Sequence, residues 1–339
     1  MTNYYINVAM GLGGNIALSS VITQIKEDFG DEYNFNVMSP YSDVFICNTS
    51  VNHVYTPQEA RDFLFDAKED DNAKIIMHRL YDMQSFITKN ATYKSAWYEL
   101  LGIKPKTKAN DLVSKFDTSK FPNIKVQAEQ VLNEIKKQGY EDFIIINFEG
   151  AVTPLSQVPN GQDGKPDWSK VPDPYNNEPL ARLYPREKAA EFIKLYKEEH
   201  PKTAIINYTL PNQANYNVGE LKTIMPYLSY YEMAKFSECK GFVGIDSSGQ
   251  HLFAGVCKSV IIWGHSINAD KNGNIICNNF GYDYNKNIIQ HCRRDDVLFF
   301  SMLGPSKAKV DYIAPDELLK EVDAYLGKED AVENESKAD

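Results

Sequence analysis

The stretch Tyr4-Tyr5-Ile6-Asn7-Val8-Ala9-Met10-Gly11-Leu12-Gly13-Gly14 decides the fold class. Its first seven residues are apolar enough to read as a buried strand, and they run without a spacer into a glycine turn. The next segment, Asn15 to Phe29, carries Ile16, Val21, Ile22 and Ile25 near helical spacing. Strand, glycine turn and helix in that order make the first half of a βαβ unit. A second start of the same kind, Asp142-Phe143-Ile144-Ile145-Ile146-Asn147-Phe148, ends in Glu149-Gly150.

Outward from these two starts, strands alternate with helices. Asn34–Met38, Val44–Cys47 and Ala73–Met77 read as strands, Arg79–Leu101 as mostly helical, and Val126–Gln138 as a helix. In the second half, helices are expected over Arg186–Glu199, Tyr227–Lys240 and, beginning at His251, over His251–Val256. Strands are expected over Thr203–Tyr208, Gly241–Ile245 and Ser259–Trp263, with a short element near Glu220–Met225. Pro315, Asp316 and Glu317 open a closing helix that runs to Leu326. The pattern predicts an α/β protein of two doubly wound Rossmann-like domains facing across a cleft, 1–139 and 140–326, with ligands at the carboxyl ends of the strands. Residues 327–339 are small and acidic and are expected to form a disordered tail.

Composition narrows the function. At 339 residues with 43% hydrophobic and 24% charged residues, the chain has the make-up of a globular protein. No stretch approaches the ~18–20 apolar residues of a membrane span. The five cysteines are never spaced C-x-x-C, which argues against a zinc ribbon or a disulfide framework and suits a cytoplasmic protein. The six histidines are scattered and no aspartate pair has metal-ligand spacing, so no metal site is expected. The net charge of −10 divides into −2 for residues 1–140 and −8 for the remainder. An acidic chain does not coat nucleic acid, because each phosphate contact needs a cation. Lys104, Lys106 and Lys108 form a local exception, read either as a solvated loop or as an anion-binding edge.

Two motifs can carry chemistry. Gly11-Leu12-Gly13-Gly14 lacks the third glycine of a dinucleotide fingerprint, since Ile16 stands there, and no Gly-Lys-Ser/Thr follows. It is either a tight structural turn or a turn that lets a substrate phosphate approach a helix start. The second motif is Gly244-Ile245-Asp246-Ser247-Ser248-Gly249-Gln250-His251-Leu252. A buried strand ends in an acid, two hydroxyls and a glycine, with a histidine in the first turn of the helix that follows. Hydroxyls and free N–H groups there suit an anion, and His251 can add charge. The alternative is that Asp246 or Ser247 caps the helix and His251 is a satisfied surface histidine.

The second motif resembles the Asp-Ser/Thr-Gly-x-x-His-Leu signature of the ADP-heptose:lipopolysaccharide heptosyltransferase family, glycosyltransferase family nine, of GT-B fold. Other landmarks fall in family order. Gly14-Asn15-Ile16-Ala17-Leu18-Ser19-Ser20 resembles the first-turn Gly-Asp pattern, Leu100-Leu101-Gly102-Ile103 resembles a Leu-Gly-Leu, and Arg182-Leu183-Tyr184-Pro185-Arg186-Glu187 resembles Lys-x-Trp-Pro-x-Glu. The resemblance implies donor binding by Gly13, Gly14, Arg182, Asp246, Ser247, Ser248, Gly249 and His251. Arg182 replaces a lysine, a change that keeps a phosphate ligand. The family's catalytic aspartate is replaced by Asn15, whose amide cannot accept a proton. Either another carboxylate serves, Asp43 or Glu149, or Asn15 only positions the acceptor, or transfer activity has been lost. Residues 153–181 and 266–296 match nothing in the family pattern.

The implied activity is inverting, metal-independent transfer of a sugar from a nucleotide-sugar to a hydroxyl. The nucleotide-sugar is a substrate, and no resident cofactor is implied. The expected acceptor is a saccharide or lipid-linked saccharide, with a modified base in DNA as second choice. The rival reading is a non-catalytic module that binds a nucleotide or glycan on the same fold. An NAD-dependent oxidoreductase stands behind both.

Overall fold

The computed structural model describes residues 1–77, 80, 83, 85, 91–149, 184–208, 226–263, 268–269, 275–277, 281–289, 291–292 and 310–327. The expectations for Arg182, the 153–181 insertion, Glu220–Met225 and the acidic tail beyond residue 327 lie outside these residues.

The first half builds a four-stranded parallel sheet in the order β3-β2-β1-β4, from β1 (Thr2–Asn7), β2 (Tyr33–Met38), β3 (His53–Tyr55) and β4 (Ala73–Met77). Helix α1 (Leu12–Phe29) follows β1, α2 (Ser42–Ile46) follows β2, and α3 (Ala60–Glu69) leads into β4. Side chains on β1 alternate, as a pleated strand requires. Tyr4 and Ile6 enter the main core, while Tyr5 enters a small cluster with Met38, Tyr55, Phe63 and Ala67. Helices α4 (Tyr93–Leu101) and α5 (Pro122–Lys137) complete this half. Thr92 caps α4 and Gly102, at φ 68°, ends it.

The second half builds a five-stranded parallel sheet from β5 (Asp142–Asn147), β6 (Thr203–Asn207), β7 (Cys239–Ile245), β8 (Ser259–Trp263) and an outermost strand. Two short strands, β9 (Asn268–Ala269) and β10 (Ile275–Cys277), pair antiparallel before that outermost strand, β11 (Lys286–Ile289), joins β8. The order is β11-β8-β7-β5-β6. A further antiparallel pair, β12 (His291–Cys292) and β13 (Val310–Asp311), precedes the last helix. Helices α6 (Arg186–Glu199), α7 (Tyr227–Ala234), α8 (Ser248–Leu252) and α9 (Pro315–Leu326) connect and cover this sheet.

The continuous apolar runs of these strands follow from burial on both faces. Phe143, Ile145, Phe242 and Ile261 face the main core, which continues through α1 and α4 to the first sheet. Ile144, Ile146, Val243 and Val260 face the opposite way, under Phe192 of α6 and Leu318 of α9. Each sheet has a point where strand order reverses, between β1 and β4 and between β5 and β7. Open parallel sheets hold ligands outside the carboxyl ends at such points.

An extended strap over 110–117 stitches the two sheets' surroundings together. Ser114 N donates to Ala254 O at 2.9 Å, Phe116 N to the Tyr231 hydroxyl at 3.1 Å, and Asp117 N to Cys47 O at 2.7 Å. The strap's start is pinned by Lys94, almost wholly buried, whose Nζ reaches Asp111 at 2.5 Å and Thr107 at 2.8 Å.

Several expected elements differ. The opening strand ends at Asn7 and not at Met10, and α5 begins at Pro122, four residues before the expected Val126, because proline suits a first helical turn. Val44–Cys47 is not a strand: it lies in α2 and its C-cap, with Val44, Phe45 and Cys47 buried and Ile46 exposed. An apolar run this short does not distinguish strand from helix. Helix α7 ends at Ala234 instead of Lys240, because Cys239 and Lys240 already belong to β7. Helix α8 starts at Ser248, three residues before the expected start, because Ser247 caps it.

Candidate functional site

The first glycine turn is organised by Asn15. Helix α1 starts at Leu12 with Gly11 as N-cap, and Asn15 sits in the first turn with no exposed surface. Its Nδ2 donates to Met10 O at 2.9 Å and to Gly11 O at 3.0 Å. Its Oδ1 accepts from Ser39 Oγ at 2.6 Å, and the same Ser39 hydroxyl accepts from Tyr41 N at 2.9 Å. The amide therefore clamps the glycine turn to the turn after β2. Buried and bonded in this way, Asn15 presents no atom to a ligand at the open edge.

The glycines of that turn serve close approach. A Cβ on Gly14 would lie 2.4 Å from the Met10 Cε. One on Gly13 would lie 2.9 Å from His251 Cδ2 and 3.3 Å from the Ser248 Cα. The start of α1 thus rests directly on α8, and the two sequence motifs meet.

The second motif lies where the strand order reverses in the five-stranded sheet. Asp246 follows β7, and its Oδ1 accepts from Gln250 Nε2 at 2.6 Å. Ser247 caps α8, accepting from Gly249 N at 3.2 Å, and Ser248 shares a 2.8 Å hydrogen bond with the Tyr208 hydroxyl. Gly249 leaves no room for a side chain, since a Cβ would sit 2.7 Å from the Phe242 ring and 3.3 Å from that of Tyr208. His251 is not on the surface. It is the fourth of five residues in α8 and 4% exposed, with Nδ1 2.6 Å from the Tyr282 hydroxyl and its ring edge-on to Tyr93. Burial pushes the Tyr282 phenol well above its ordinary pKa and pushes that of Tyr208 up to about 12, a rise the Ser248 hydrogen bond opposes. Both phenols therefore stay neutral near pH 7 and keep a proton to donate.

The carboxylates divide sharply. Glu149, after β5, is buried and clasped by Arg186, with Nε to Oε1 at 2.5 Å and Nη2 to Oε2 at 3.1 Å. Asp43, in the first turn of α2, is half-buried, and its Oδ1 accepts from Val44 N at 3.1 Å. The Tyr227 hydroxyl approaches it without meeting hydrogen-bond geometry, and burial and the Asp43 charge raise that phenol's pKa strongly.

The lysines stand elsewhere. Lys106 donates to Asp28 O and lies 5.2 Å over the Phe29 ring, at the far end of α1. An 18-residue helix is roughly 27 Å long, which separates Lys106 from Gly13 by about that length. Lys104 and Lys108 are exposed on the same segment. The structure brings Gly13, Gly14, Asn15 and the 246–251 motif together and leaves the lysine strip apart.

Sequence reasoning missed Ser39, Tyr208, Tyr282 and Asn147. Asn147 Nδ2 donates to Tyr208 O at 2.6 Å and Glu149 O at 3.2 Å, while its buried Oδ1 has no hydrogen-bond partner. The alternation Tyr282-Asp283-Tyr284 was the one available signal of a buried aromatic edge, and those rings stack at 5.7 Å. Glu199, His200 and Asp323 also come together, with His200 Nε2 2.9 Å from Asp323 Oδ1. They lie at the amino-terminal edge of β6, away from both motifs, since Thr203 N donates to His200 O.

No protein-family model matches the chain, and no curated protein sequence does. Solved structures do match in fold. The glycosyl transferase family 9 protein of Veillonella parvula superposes with a TM-score of 0.57 at 11% identity, covering 96% of this chain and 97% of that one. The E. coli ADP-heptose LPS heptosyltransferase II superposes with a TM-score of 0.51 at 12% identity, covering 96% and 98%. The chain therefore has, over nearly its whole length, the α/β fold with parallel sheets of these two glycosyltransferases.

Proposed function

We propose that this protein is a glycosyltransferase that moves a sugar from a nucleotide-sugar to a hydroxyl of a saccharide or lipid-linked saccharide, by direct displacement with inversion. The reading divides the chain into an acceptor-side domain, 1–139, and a donor-binding domain, 140–326, facing across a cleft. The observation that carries it is the meeting of Gly13 with Ser248 and His251 at the strand-order reversal of the second sheet. That is where a doubly wound sheet holds a nucleotide.

In this reading the donor lies along the carboxyl edge of β5 and β7. Ser248, Tyr208 and the His251–Tyr282 pair supply hydrogen-bond donors to the diphosphate as charge develops on the leaving group. Arg182 is the proposed cationic phosphate ligand. The unpartnered Asn147 oxygen suits a donor hydroxyl or amino group. Asn15 holds the glycine turn in shape. The E. coli neighbour is named for ADP-heptose, so ADP-sugars are the first donors to test.

Thermal unfolding with ADP, UDP and GDP, each beside its nucleoside, tests the reading. One diphosphate should raise stability by about 2.7 kcal/mol at a hundred times its Kd, and its nucleoside should do less. The matching nucleotide-sugar should then be turned over. Binding without turnover would favour the binding-module reading, and no stabilisation by any of the three would overturn both.

A further inference from the structure

Direct displacement by a hydroxyl needs a group that accepts its proton, and Asn15 cannot do so. Among the described residues, four carboxylates lie within five residues of the carboxyl ends of strands in the two parallel sheets: Asp43, Glu59, Glu149 and Asp246. Three are committed. Glu59 holds the Thr56 N–H at 2.7 Å and the Thr56 hydroxyl at 2.8 Å in an exposed capping box, Glu149 is clasped by Arg186, and Asp246 is buried against Gln250. Asp43 has no cation beside it among the described residues, and its Oδ1 takes only the neighbouring Val44 N–H. It is also half-buried, which keeps a carboxylate reachable yet partly dry.

Its placement is built. The turn that presents Asp43 is held by Ser39, whose hydroxyl joins Asn15 to Tyr41 N. The Asp43 charge helps to raise the pKa of two buried acids that face it, the Tyr227 phenol and the Cys47 thiol, the latter to about 12 with burial as the larger cause. Tyr227 in turn lies within electrostatic reach of Tyr208, and Tyr208 bonds Ser248 beside Gly13. The carboxylate thus stands on the same edge as the two motifs, linked to each through named side chains.

We propose that Asp43 is the general base of the transfer reaction, with Ser39 and Asn15 as positioning residues for the turn that carries it. The inference rests on the glycosyltransferase reading. In the step, the acceptor O–H proton goes to the Asp43 carboxylate as the acceptor oxygen forms its bond to the sugar's anomeric carbon. The bond from that carbon to the diphosphate oxygen breaks, and the nucleoside diphosphate leaves with the electron pair. With water as acceptor, the same step hydrolyses the donor.

The experiment follows release of nucleoside diphosphate from ADP-, UDP- and GDP-hexoses in water, alongside calorimetric binding of ADP, UDP and GDP. Asp43→Asn should lower kcat ~100-fold or more, the ordinary contribution of a general base, with diphosphate affinity unchanged within about twofold. Asp43→Glu, which keeps the carboxylate, should recover part of the loss. Wild-type turnover retained by Asp43→Asn would overturn Asp43 and leave the glycosyltransferase reading standing. Equal losses of kcat and diphosphate affinity, or no recovery by a folded Asp43→Glu, would make Asp43 structural. A wild-type protein that binds a diphosphate yet releases none from its hexose conjugate would overturn both.

Discussion

The two motif turns, one after β1 and one after β7, are built from opposite kinds of hydrogen bond. In the first, the Asn15 side-chain amide bonds the backbone carbonyls of Met10 and Gly11, the latter of which also accepts the Asn15 N–H. In the second, the bonds of Asp246, Ser248 and His251 run mostly between side chains, to Gln250, Tyr208 and Tyr282. A side chain bonded to buried backbone is part of the scaffold, because releasing it orphans the backbone group. Side chains bonded to each other can exchange partners for a ligand's oxygens at little net cost. The first turn is therefore a frame and the second a surface prepared for substitution.

The largest test of that contrast is Asn15→Asp. A carboxylate there would face the Met10 and Gly11 carbonyls with no exposed surface, so the variant should lose about 3–5 kcal/mol at pH 7. The folded-state pKa of such an acid is raised, so the electrostatic part of the loss is absent below the unfolded value of about 3.9 and grows as pH rises above it. Melting curves at pH 4 and pH 7 measure this. A variant as stable as wild type at both pH values would mean that the first turn is as adaptable as the second.

Next in size is Gly13→Ala. The added Cβ meets His251 Cδ2 at 2.9 Å, and the ring cannot swing away cheaply because Tyr282 holds it. A loss of about 1–3 kcal/mol is expected, the usual cost of overpacking. Gly11→Ala is the internal comparison. Nothing lies within 4 Å of its Cβ and its φ is −65°, so its effect should stay within about 0.5 kcal/mol. Equal effects in a chemical-denaturation pair would dissolve the claim that Gly13 joins the two turns.

The same contrast explains what was legible in the sequence. Strands β5 to β8 were plain because burial on both faces demands unbroken apolar runs, and β1 because a glycine turn begins four residues after its end at Asn7. The 246–251 motif was found because its cap and histidine are local in sequence. Its partners were not, because Tyr208 and Tyr282 lie 40 and 31 residues from the groups they bond. The strap over 110–117 was invisible for the same reason: Ser114, for example, bonds residues 117 and 137 positions away. A surface position was the alternative reading for His251, because nothing near it in sequence signals its burial, yet Tyr282 from the 266–296 stretch helps to bury it.

A milder change within the second turn is Tyr208→Phe. It removes the hydroxyl bonded to Ser248 and keeps the ring packed against Tyr230 and Phe253. The stability loss should be about 0.5–1.5 kcal/mol, the net worth of one hydrogen bond. Binding of a nucleoside diphosphate should suffer more than binding of the nucleoside if the hydroxyl turns toward phosphate. Equal losses for both ligands by calorimetry would assign Tyr208 to the frame.

The smallest effect is expected at the opposite edge of the second sheet, where neither kind of turn bond operates. Lys136, near the end of α5, bridges to Glu238 just before β7 at 2.5 Å, with half of the lysine side chain exposed. The Lys136 hydrogen bond is the main cause that lowers the Glu238 pKa below its ordinary value. A lowered folded-state pKa contributes stability that is present above the unfolded value of about 4.3 and is lost as pH falls through the folded one. Solvent screens a pair this open, so Glu238→Gln should cost less than about 1 kcal/mol at pH 7, and less again in high salt. The difference between variant and wild type should narrow on acidification to pH 3. The backbone bond from Phe143 N to Glu238 O at 2.9 Å does not depend on the side chain and should hold the strand start in place. A loss as large as that of Gly13→Ala would show that this bridge, and not the meeting of α1 with α8, joins the two halves of the chain.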